Sequence, residues 1–116
     1  MKKIIFASGK ELPYINAFSL EKDYKDGYTR PSVEVSISFT ETSFDEINNL
    51  AGTNFTLVGE PILNENNEVI ETPTSEWNDY SIKGKISVDD NTITFKCYKL
   101  SDIEIALDEL LVSMEV

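Results

Sequence analysis

No histidine occurs in the 116 residues, which removes the side chain used most often as general base and metal ligand near neutral pH. A single cysteine, Cys97, excludes an internal disulfide, so nothing in the chain calls for an oxidising compartment. Positive charge is missing over a long stretch: residues 32–82 hold no Lys or Arg, while ten acids fall between Glu34 and Asp79. The net charge of -11 has the wrong sign for gripping a nucleic-acid backbone or an anionic membrane surface, so neither is expected as a partner. The five glycines, Gly9, Gly27, Gly52, Gly59 and Gly84, stand singly and build no phosphate-cradling loop. Long apolar runs are absent too. Lys2 and Lys3 followed by residues 4–7 imitate the start of a secretion signal, but the run stops at Ser8-Gly9-Lys10, and no run approaches a membrane span.

What remains is the composition of an ordinary globular protein, 41% hydrophobic and 27% charged, and a length that suits a single domain over residues 1–116 with one core. Enzyme chemistry has little to work with. Cys97 falls on the inward row of a predicted strand with no imidazole to activate it, so it reads as core. Adjacent carboxylates such as Asp89-Asp90 or Asp108-Glu109 are unspecific in so acidic a chain. Residues 64–68 offer oxygens to a calcium ion but lack EF-hand spacing. Trp77 and Tyr80 either form a sugar-stacking patch or anchor their loop to the core, and anchoring is the simpler use. No catalytic residue, cofactor, metal or small-molecule substrate is expected.

Along the chain, residues 4–7 read as a short strand closed by Ser8-Gly9-Lys10. Residues 12–20 are apolar but irregular, and Pro13 argues against a central strand. Residues 23–31, with Asp26-Gly27 and Pro31, read as a turn. Val33, Val35, Ile37 and Phe39 then alternate with Glu34, Ser36, Ser38 and Thr40, which predicts a strand with one wet face. Ser43-Phe44-Asp45-Glu46 is a capping box ahead of a short helix with Phe44, Ile47, Leu50 and Ala51 on one side, stopped by Gly52. Residues 55–58 suggest another strand. Residues 59–79 are polar, with weak strands near 61–63 and 68–72 forming a hairpin about a tip at 64–68.

The last third carries the strongest pattern. Tyr80, Ile82, Ile86 and Val88 alternate with polar residues, as do Ile93, Phe95 and Cys97. Both apolar rows reach one face only if the loop between them has even length, so Asp90-Asn91 is predicted as a two-residue turn. That register sets Val88 opposite Ile93, Ile86 opposite Phe95 and Gly84 opposite Cys97. It also places Lys83, Lys85, Lys96 and Tyr98 on one outer face, with Lys85 facing Lys96. Like charges so placed repel, and a carboxylate-bearing neighbour is the expected relief. Ser101 and Glu104 repeat the capping box, opening a C-terminal helix. Ile103, Ala106, Leu107, Leu110, Leu111 and Met114 share one arc, which predicts docking onto the sheet. Ile105 and Val112 fall on the far side among acids. They are either isolated exposed apolar residues or a surface covered by a partner, for which a second copy of the chain is the simplest choice.

In their order these segments, a "SGKEL" turn, a strand running into "TSFDEINNL", and "YSIKGKISVDDNTITFKCYKLSDIEIALDELL", resemble small tail-region proteins of siphophages and prophages of Gram-positive bacteria, encoded near their baseplate and fibre genes. The resemblance implies a virion or assembly component without enzymatic activity, built in the bacterial cytoplasm and meeting other phage tail proteins; it carries no ligand or catalytic residue onto this chain. The expected fold is α+β: a mainly antiparallel sheet of about six strands, one short internal helix and a C-terminal amphipathic helix. The expected function is that of a homo-oligomeric structural piece of a tail tip or baseplate, with Lys83, Lys85, Lys96, Tyr98, Ile105 and Val112 as interface candidates. The competing expectation is an acidic inhibitor whose residues 60–79 and helix carboxylates imitate nucleic-acid phosphates to block a host DNA- or RNA-binding protein.

Overall fold

The computed structural model describes the backbone of residues 2–25 and 27–114, and the side chains of these except Lys25, Asp108, Val112, Ser113 and Met114. Ten strands and two helices occur among the described residues. One four-stranded antiparallel sheet has the order β2-β1-β5-β8, with β1 Lys3–Phe6, β2 Glu11–Pro13, β5 Phe55–Val58 and β8 Thr74–Trp77. A second has the order β3-β4-β10-β9, with β3 Asn16–Lys25, β4 Tyr28–Ser38, β9 Ile82–Asp89 and β10 Thr92–Tyr98. A separate two-stranded hairpin, β6 Ile62–Leu63 and β7 Val69–Glu71, is inserted between β5 and β8. Mixed helix and antiparallel sheet is therefore right as a class, but the single sheet of about six strands is replaced by three sheets and ten strands.

The reason is visible in the core. Ile4, Phe6, Leu12, Phe55 and Leu57 of the first sheet meet Val33, Val35, Ile37, Ile93, Phe95 and Cys97 of the second. Phe95 lies 6.3 Å from Phe6 and 6.2 Å from Phe55, ring centre to ring centre, so the two sheets face each other across aromatic packing. Each alternating strand has only one apolar row, and two such faces bury one another without a helix layer. Ile47 of helix α1, Phe44–Leu50, and Ala51 at its C-cap close the side of this core, while Phe44 stays exposed. The Ser43 hydroxyl accepts from the Glu46 amide at 3.2 Å and Gly52 at φ +88° follows the helix end, but the box is only half formed, since Glu46 Oε1 accepts from the Thr42 hydroxyl at 2.8 Å rather than from the Ser43 amide.

Residues 23–31 are not a broad turn. Strand β3 continues to Lys25 and β4 begins at Tyr28, leaving a tight connection in which Gly27 takes φ +87°. Pro31 misled because it sits inside β4. It costs the sheet little there, for its neighbour β10 stops at Tyr98: Lys99 donates to the Pro31 carbonyl at 2.9 Å, and no Pro31 N–H exists to return the bond. On the other side β3 bulges, shifting register between Leu20 and Asp23 opposite Pro31.

The β9–β10 hairpin has the predicted two-residue turn, with Asp90 at φ 48°, and Val88 opposes Ile93 and Ile86 opposes Phe95. Beyond Phe95 the register shifts, so Lys83, not Gly84, faces Cys97. Gly84, in this irregular stretch, lies against Tyr98: a Cβ there would be 2.7 Å from its ring.

Helix α2, Asp102–Met114, does not dock onto the sheet. Ile103, Leu107, Leu110 and Leu111 remain 68%, 47%, 56% and 59% exposed, and no element packs broadly against the helix. The chain measures 60 Å along its longest axis with a radius of gyration of 16.9 Å, against roughly 13 Å for a compact chain of this length. Two projections account for the excess. The β6–β7 hairpin leaves the first sheet beside Val58 and Thr74. Trp77, at the other end of β8, shares a cavity with Pro31, and α2 departs just past Pro31's bond to Lys99.

Candidate functional site

The base of α2 is built with more care than its body. Ser101 and Glu104 form a reciprocal cap: the Ser101 hydroxyl accepts from the Glu104 amide at 3.2 Å, and Glu104 Oε1 accepts from the Ser101 amide at 3.2 Å. Arg30 then grips the same carboxylate from β4, Nε to Oε1 and Nη2 to Oε2, both at 2.6 Å. Arg30 is buried, its guanidinium 5.3 Å from the centre of the Tyr28 ring. The Arg30 pairing, helped by Ser101, holds the Glu104 carboxyl down at about 2. The first turn of α2 is thus clamped to the sheet while the rest stands free.

Beside the clamp, Asp23 takes a hydrogen bond from Ser32 at 3.0 Å and an ion pair from Lys96 at 2.5 Å. The Lys96 contact lowers the Asp23 pKa, and Asp23 raises that of Lys96 in turn. Among the described residues, the carboxylate relief expected for the lysine cluster thus reaches Lys96 and not Lys83 or Lys85. Lys96 also lies 5.5 Å from the Tyr98 ring centre, and Lys85, Lys96, Tyr98 and Glu34 line one shallow hollow of about 280 Å³. Lys83 is not among them. The bulge turns it to the other side of β9, where its Nζ donates to the Asn48 carbonyl of α1 at 2.6 Å. The three lysines do not form one basic face. Ile105 is 38% exposed; the Val112 side chain lies outside the described residues.

Two adjoining cavities open at the same end. One, about 430 Å³, is lined by Lys22, Lys99, Leu100 and Ile103 among others; the next, about 400 Å³, by Leu20, Trp77 and Tyr80; Glu21 and Pro31 belong to both. Trp77 and Tyr80 pack edge to face at 5.4 Å and lean on the core, so they anchor their loop while leaving one wall of this groove. Burial raises the Tyr80 hydroxyl's pKa.

At the other projection, Asn64 Oδ1 accepts from the amides of Asn66 and Glu68, and Asn67 takes φ 61°, which makes residues 64–68 a self-satisfied turn. No cluster of metal-ligating side chains occurs among the described residues. Nor is any helix among them long and apolar enough to cross a membrane. Ile62, Leu63, Val69 and Ile70 are exposed on the hairpin. Cys97 is fully buried, and burial pushes its thiol pKa up.

Arg30 and Asp23, which organise the α2 base, were missed from sequence because both fall in the segment read as a turn. One signal existed: Arg30 is the only arginine, and it continues the period-two row of Ser32, Glu34 and Ser36. Comparison with protein-family models, curated proteins and solved structures yields no match to this chain.

Proposed function

We propose that this chain is a non-enzymatic assembly component that works through protein–protein contacts, with α2 as its principal contact element. The observation that carries the reading is the combination of a rigidly clamped helix base with a helix body whose leucines have no cover. Scattered exposed apolar residues are ordinary, but a contiguous stripe on a projecting element marks an interaction surface. An amphipathic helix that lays such a stripe in a partner's groove is a common mode of recognition. The setting we propose is a phage tail tip or baseplate, which rests on the resemblance of the strand and cap segments alone. The imitation of nucleic acid has less support, because the exposed acids of residues 60–79 alternate with exposed Ile62, Leu63, Val69 and Ile70, a surface unlike a run of phosphates.

Mass spectrometry of purified particles from the host that carries the gene tests the reading. Wild-type chain is expected in the particle, and a folded Leu107→Glu, Leu110→Glu variant is expected to be missing from it. Particles that form fully without the wild-type chain would refute the assembly role.

A further inference from the structure

We draw no further inference here: the strongest candidate, the exposed stripe of Leu107, Leu110 and Leu111 on α2 beside the groove at the helix base, carries none, because that groove is lined by Glu21 and Asp102 as well as by Lys22 and Lys99, and nothing in the structure shows what covers the stripe.

Discussion

Arg30 and Glu104, 74 residues apart, meet through two parallel hydrogen bonds of 2.6 Å. The pair joins the one arginine of the chain to the cap of its last helix and sets the direction in which α2 projects. Arg30→Lys keeps the charge but loses the fork. It is expected to leave the two sheets intact and to speed amide hydrogen exchange across residues 102–110 severalfold. Unchanged exchange there would show that the clamp does not hold the helix.

The same pair predicts an acid response. Glu104 has its carboxyl depressed to about 2 from 4.5, so the stabilisation it contributes is whole above about 4.5 and is lost as pH falls through about 2. Asp23, also depressed by its contact with Lys96, acts with the same sign. Helical signal from α2 should therefore survive the range in which ordinary carboxylates titrate and fade only near pH 2. NMR titration of the Glu104 side chain gives the answer directly; an inflection near 4.5 would contradict the paired geometry.

Gly84 sits where a methyl group has no room. A Cβ there would be 2.7 Å from Tyr98 Cε2 and 3.0 Å from the Lys96 carbonyl oxygen. Gly84→Ala is expected to lower stability by about 1–3 kcal/mol, the usual cost of overpacking. Thermal unfolding measures it. In a cycle with Tyr98→Ala the two losses should fall short of additive, because the second change removes the ring that the first one strikes.

Cys97 tests the core. Fully buried, with its thiol pKa raised by desolvation, it is expected to resist thiol reagents until the chain unfolds. Cys97→Ser should cost about 1–3 kcal/mol through burial of a poorly satisfied hydroxyl. Rapid labelling of the native protein would mean the strand opens locally.

The two lysines of the outer hollow are expected to differ. Lys96→Glu sets a carboxylate against Asp23 and should lower the unfolding midpoint by several degrees. Lys85 makes no ion pair among the described residues, so Lys85→Glu should stay within about 0.5 kcal/mol of wild type. Equal effects would put both lysines in the same environment, against the geometry found.

Period-two alternation in residues 33–39 and 92–98 determined the inward rows Val33, Val35, Ile37 and Ile93, Phe95, Cys97, all buried, because side chains of a strand leave alternate faces whatever surrounds it; Phe39, read in the same row, lies past the end of β4 and is exposed. The Asp90-Asn91 turn and the caps at Ser43 and Ser101 were legible for a similar reason: each depends on hydrogen bonds and dihedral angles within a few residues. Pairing between distant segments was not. Whether the apolar rows met one sheet or two depended on how residues far apart in sequence packed, as Phe6 and Phe55 do on Phe95. The bulge near Gly84, where the Tyr98 ring packs against the glycine, took Lys83 away from Lys85 and Lys96. Most of all, the apolar arc of α2 specified a helix with something to cover but not what covers it. An amphipathic pattern records only that a face avoids water, whereas the Arg30–Glu104 clamp, a contact across 74 residues, aims that face away from its own sheet.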